Sequence, residues 1–131
     1  MASYGRSWPA GPHTSTCMRI DNHTHTVRCK SGDASTRAIS AAAFCDTILS
    51  TDVGILAITN HNLFALEQYH NIEEGLAASA QVWPDIELDI VEAGERGHLI
   101  VIVSPRRAAE FADAVTEVTH GHSPDTFSIM T

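Results

Sequence analysis

Strand-like and helix-like segments alternate along this chain, and the alternation limits the folds it can adopt. Short apolar runs typical of buried strands are predicted at 18–22, 54–59, 85–91 and 98–103. Apolar residues at helical spacing predict helices at 36–50, 63–80 and 106–119. Strands separated by helices favour parallel pairing. We therefore expect an α/β fold with a mostly parallel sheet and flanking helices.

Polar residues and a proline mark the predicted helix starts. Ser35 and Asn62 precede the first two helices and are typical N-cap residues, while Pro105 opens the third. The loop 31–33, Ser-Gly-Asp, is equally well explained as a turn leading to the first cap.

The length of 131 residues allows one domain. A complete eight-fold β/α barrel needs roughly 200 residues or more, so this chain could form about half of one. Residues 1–17, rich in Gly, Pro, Ser and Thr, are predicted to be a disordered leader. The folded unit is expected at 18–119, with 120–131 a tail leading into a missing remainder.

Composition excludes several classes of function. A formal charge of −8, with only eight Lys and Arg, does not favour nucleic-acid binding. The longest apolar run, 99–103, is far too short to span a membrane. Three cysteines without a Cys-x-x-Cys pair argue against a disulfide framework. We therefore expect a cytoplasmic protein without membrane segments.

Histidines recur near the predicted strand ends. His23 and His25 close the first strand, and alternate side chains of an extended segment project to the same side. Two neutral imidazoles aimed at one point are typical of a metal site. Further potential ligands follow in His61, Glu87 and His98. The sequence therefore predicts that these five side chains converge on metal ions.

Four motifs carry a resemblance to a known family. They are Asp-x-His-x-His-Thr at 21–26, Ile-Thr-Asn-His-Asn at 58–62, Asp-Ile-Glu-Leu at 85–88 and Gly-His-Leu-Ile-Val-Ile at 97–102. In this order and spacing they resemble the PHP (polymerase and histidinol phosphatase) superfamily.

The resemblance implies a distorted seven-stranded β/α barrel, of which this chain would be the N-terminal part. It implies two or three divalent ions, zinc, manganese or iron, and hydrolysis of a small phosphorylated substrate by metal-activated water. His23, His25, Glu87 and His98 would be metal ligands, and His61 would ligate a third ion. Asp21 and Asn60 would not bind the ions themselves but would help to orient these ligands.

Two departures from the family pattern qualify this expectation. Asn60 stands where the family usually has Asp, which removes a negative charge beside His61. The family's later motifs, a further His and a C-terminal Asp-x-His, are absent. We therefore predict weak or no activity for this chain alone.

Other functions remain open at this stage. The chain could be a non-catalytic metal-binding or regulatory module that self-associates or pairs with a C-terminal half. An amidohydrolase-type barrel shares the first His-x-His, but it would not predict Asn60-His61 or a bridging Glu87. A metallo-β-lactamase would need Asp-His where Val27-Arg28 stands.

Overall fold

The computed structural model describes residues 17–131, so the predicted leader lies outside it apart from Cys17. The α/β class is confirmed. The strands are β1 (Arg19–Thr24), β2 (Val53–Ile58), β3 (Gln81–Glu92), β4 (Glu95–Ile102) and β5 (Ile129–Met130). The helices are α1 (Ala41–Leu49), α2 (Leu66–Leu76) and α3 (Ala108–Val118), and short 3₁₀ turns occupy Ser35–Arg37 and Pro105–Arg107.

The sheet is mostly parallel, as predicted, with one exception. Its order is β1-β2-β3-β4, and β5 also pairs with β3. Only the β3–β4 pair is antiparallel among the described strands. These two strands are joined through Ala93 and Gly94, whose φ angles are 50° and 84°. A two-residue connection with positive φ produces a hairpin, whereas a parallel pair needs a long crossover.

The hairpin sets which side chains share a face of the sheet. In its register Asp89 lies opposite His98, and Glu87 lies opposite Ile100. Directly paired residues project to the same side. The prediction that His98 opens its strand was wrong, because β4 begins at Glu95 and places His98 inside the ladder.

The helices pack on the face of the sheet opposite to Glu87 and His98. Leu56, Ile58 and Val82 of the sheet join the main apolar core together with residues of the helices, among them Phe44, Ile48, Ile72, Leu76 and Ala108. Because strand side chains alternate, the helix-facing position of Val82 puts Glu87 on the opposite face. The sheet thus separates an apolar layer from a polar one.

Both serine and asparagine cap predictions were wrong. The N-cap of α1 is Ser40, whose hydroxyl accepts a hydrogen bond from the Ala43 N–H at 3.1 Å, while Ser35 begins a 3₁₀ turn. Asn62 has a φ of 50° and lies four residues before α2 begins. Its side chain instead accepts a hydrogen bond from the Asp89 N–H of β3 at 2.9 Å and donates one to the Pro124 carbonyl of the C-terminal segment at 2.8 Å.

The segment 120–131 returns to the sheet. Phe127 is buried, and Ile129 of β5 pairs with Ile90 of β3. No helix among residues 17–131 combines the length and apolar character needed to cross a membrane.

Candidate metal centre

Backbone pairing brings the strand ends together. The Thr59 N–H donates to the Thr24 carbonyl at 2.6 Å, which aligns the ends of the parallel strands β1 and β2. Beyond β2 the chain continues beside β3: the Glu87 N–H donates to the Asn60 carbonyl at 3.1 Å, and the Asn62 N–H to the Glu87 carbonyl at 2.9 Å. This bridge places His61 beside Glu87.

The four predicted histidines converge on the carboxylate of the fifth predicted residue, Glu87. Its Oε2 lies 2.9 Å from His61 Nε2, 3.2 Å from His23 Nε2 and 3.4 Å from His25 Nε2. Its other oxygen, Oε1, contacts His98 Nδ1. The donor atoms form two groups that share Glu87, namely His23-His25-Glu87 and His61-Glu87-His98. Each group has its ligand atoms within 4.8 Å of one another and could hold a metal ion.

These separations suit a metal ion. Nitrogen and oxygen ligands bind zinc at about 2.0–2.2 Å, so two ligands of one ion lie roughly 3.0–3.5 Å apart. The Glu87 Oε2 distances to His23 and His25, 3.2 and 3.4 Å, fall in that range. The geometry groups His61 with Glu87 and His98, whereas the family resemblance implied a third ion for it. That separate role stays a prediction.

The cluster is buried at its shared carboxylate and exposed to solvent at two of its imidazoles. The Glu87 side chain is 3% exposed, while those of His23 and His98 are each 52% exposed. A carboxylate removed from water needs partners that compensate its charge. The two half-exposed imidazoles leave a path for a ligand from solvent.

His25 is held in the neutral form that binds metals. Burial lowers its pKa to about 4, and the positive charge of Arg37 acts in the same direction. Its Nδ1 is buried without a hydrogen-bond partner among the described residues. At neutral pH the imidazole therefore keeps a lone pair available without having to lose a proton.

Asp33 is a site residue that the sequence analysis did not assign. Its Oδ1 lies 2.7 Å from His61 Nδ1, and its Oδ2 accepts hydrogen bonds from the Cys29 and Lys30 N–H groups at 3.0 Å. Burial raises the pKa of Asp33, but these hydrogen bonds and the charge of His61 outweigh it, so the net pKa is lowered. A carboxylate on one imidazole nitrogen directs the other nitrogen to the metal. The available signal was an acid in the polar loop just after His-x-His.

The two predicted supporting residues act on the backbone. Asn60 Oδ1 accepts from the Thr26 N–H at 2.8 Å and from the Val27 N–H at 3.0 Å, which fixes the end of β1. Asp21 Oδ1 accepts from the His23 N–H at 3.1 Å. The acceptor beside His61 Nδ1 is Asp33 rather than Asn60.

Two further carboxylates lie on the Glu87 face of β3. Asp89 is 2.5 Å from Lys30 Nζ, and its Oδ1 lies 3.4 Å from His98 Nε2. Asp85 is fully buried, and neither of its oxygens has a hydrogen-bond partner among the described residues. Burial, to which the charge of Glu87 adds, raises the pKa of Asp85 to about 7. The period-two spacing of these acids was visible in the sequence, but their environments were not.

A comparison with models of known protein families and with curated proteins gives no match to this chain. The resemblance to the PHP superfamily therefore rests on the four motifs, and the functional argument rests on the cluster itself.

Proposed function

We propose that this chain is a metal-dependent phosphoesterase of the PHP type, or the N-terminal part of one. The observation that carries the proposal is the sharing of one buried carboxylate by two histidine groups. A carboxylate that bridges two cations is the usual core of a two-metal hydrolytic site. Divalent ions in such a site would lower the pKa of a water molecule and neutralise the charge of a phosphoryl group.

The protein side chains have distinct tasks in this proposal. His23 and His25 would hold one ion, His61 and His98 the other, and Glu87 both. Asp33, 2.7 Å from His61 Nδ1, would keep the proton on that nitrogen, so that Nε2 presents its lone pair. A phosphate ester would approach across the half-exposed rings of His23 and His98.

The test combines metal content with phosphate release. We expect protein reconstituted with zinc, manganese or iron to retain at least about one equivalent after dialysis. It should release phosphate slowly from p-nitrophenyl phosphate or from small phosphate monoesters. Less than about 0.2 equivalents of every metal would contradict the proposal, because a site with these ligands should hold its ion firmly.

Matched variants identify the site. Glu87→Gln removes the shared charge with little change of shape, and should lower metal affinity and any turnover by about 100-fold or more. Glu92→Gln makes the same change at the exposed end of β3 and should behave as wild type. Firm metal binding without turnover would favour the alternative, a non-catalytic metal-binding module.

A further inference from the structure

A cavity of about 190 Å³ lies next to the metal centre on the side of His98. It is bordered by the hairpin of β3 and β4, by Lys30 and by the segment 125–128. Sites for drug-sized ligands have volumes of about 300–1,000 Å³. The cavity therefore suits one small polar group and not a nucleoside or a large ring system.

Both carboxylates around the cavity have partners, whereas its arginine has none among the described residues. The carboxylate of Asp89 is paired with Lys30, and that of Asp125 accepts hydrogen bonds from the Ser31 N–H and hydroxyl at 2.9 and 3.2 Å. Arg96 is exposed and also lines the cavity, and no residue from 17 to 131 forms an ion pair or hydrogen bond with its guanidinium. The hydroxyl of Ser128 is likewise without a partner in the described part of the chain.

The register of β4 sets the distance from this guanidinium to the metal centre. Arg96 and His98 are two residues apart on one strand, so their side chains project from the same face. Two residues of a strand span about 7 Å. A ligand group beside Arg96 would therefore be separated from a phosphate at the metal centre by a short spacer.

We propose that Arg96 binds a second anionic group of the substrate, a carboxylate, through its fork of N–H donors, with the Ser128 hydroxyl beside it. This inference rests on the proposed function, since the first anion is the phosphate at the metal centre. The substrate class is then a small phosphate ester with a carboxylate about two bonds from the ester oxygen.

Three phosphate esters that share a two-carbon chain test the charge preference. Ethyl phosphate has a neutral end, phosphoglycolate a carboxylate and O-phosphoethanolamine an ammonium group. Binding to the metal-loaded protein is measured by calorimetry at pH 7.5. We expect phosphoglycolate to bind about tenfold more tightly than ethyl phosphate. A preference for O-phosphoethanolamine would overturn the inference, because Asp89 and Asp125 would then dominate the cavity.

Two arginine variants show where a preference comes from. Arg96→Gln should reduce the ratio of the two dissociation constants to about one, because it weakens the binding of phosphoglycolate more than that of ethyl phosphate. Arg19→Gln removes an exposed arginine at the start of β1, paired with Asp52, and should keep the wild-type ratio. A preference that persists in Arg96→Gln would come from the metal ions and would also overturn the inference.

The results distinguish a failure of the carboxylate subsite from a failure of the proposed phosphoesterase function. If all three esters bind equally, the carboxylate subsite is wrong and the phosphoesterase proposal stands. If none of them binds to metal-loaded protein, the proposed function fails and the subsite fails with it.

Discussion

His61 could present only one ring nitrogen to a metal ion, and the Asp33 carboxylate, 2.7 Å from Nδ1, favours Nε2 for that role. The carboxylate is itself fixed by two backbone N–H groups and by Arg37, whose Nη1 donates to Oδ1 at 3.1 Å. A ring held in one tautomer and one orientation loses less entropy on binding a metal than a free ring does.

We therefore predict that Asp33→Asn lowers metal affinity. The amide keeps the shape but loses the charge that stabilises the Nδ1 proton of His61, and a loss of about 10–100-fold is expected. Competition with a chromogenic chelator measures the change. Asp46→Asn, at an exposed position of α1, is the matched control. Equal affinity in the two variants would show that Asp33 does not position His61.

A second prediction concerns Cys29, which lies close to Asp33. Burial raises the pKa of its thiol to about 11, and the charge of Asp33 adds to the shift. Only the thiolate reacts with iodoacetamide, so the alkylation rate of Cys29 in the folded protein should rise about tenfold per pH unit from 8 to 10. Site-resolved mass spectrometry measures it, with urea-unfolded protein as control. A rate that levels off near pH 8.5 would contradict the raised pKa.

The candidate metal ligands could be chosen from the sequence, but the residues that orient them could not. His23 and His25 follow from the alternation of an extended segment, and the positions of His61 and Glu87 near strand ends follow from the α/β pattern. The role of Asp33 depends on how the loop after β1 closes on its own backbone. No periodicity encodes that closure.

At the scale of elements, β3 organises the molecule. It pairs with β2, β4 and β5, and it carries the carboxylate that both histidine groups share. Its acidic face was predictable from the alternation of apolar and acidic residues in 85–91. The antiparallel pairing of β3 with β4 was not predicted, because the pattern was interpreted as successive βαβ units. The two-residue turn at Ala93 and Gly94 joins these strands as a hairpin instead.

The contact between α1 and α2 gives a prediction at this scale. A Cβ added at Gly75 of α2 would lie 2.7 Å from Cys45 Sγ of α1, and Cys45 is buried. Alanine is favoured over glycine in a helix by about 1 kcal/mol, but overpacking typically costs about 1–3 kcal/mol. Gly75→Ala should therefore leave the free energy of unfolding unchanged or lower it by up to about 2 kcal/mol, measured in urea.

The double variant separates the two effects. Cys45→Ala removes the sulfur atom, so Gly75→Ala introduced into that background should stabilise α2 by about the helix propensity alone. The two substitutions would then show a coupling energy of about 1 kcal/mol or more. Strict additivity would mean that the helices do not pack as closely as described.

Considered as a whole, the molecule covers one face of its sheet and leaves the other incompletely covered. The three helices pack against the face that carries Leu56 and Val82. On the face of the metal centre, Ile20 of β1 and Ile102 of β4 are 64% and 43% exposed. In the described part of the chain β1 pairs only with β2, and β4 only with β3. Strands with an unpaired side are ready to accept another strand.

These exposed residues lead to the last prediction. If a second copy covers the outer strands, the chain should self-associate with a concentration-dependent mass in sedimentation velocity. Burying one isoleucine side chain contributes about 1.5–3 kcal/mol, so Ile20→Lys or Ile102→Lys should weaken self-association by tenfold or more. Leu49→Lys, at a 49% exposed position on α1, should not. An association free energy of about 8 kcal/mol corresponds to a micromolar dissociation constant. A wild-type chain that stays monomeric at about 100 μM would therefore show that no second copy covers the outer strands.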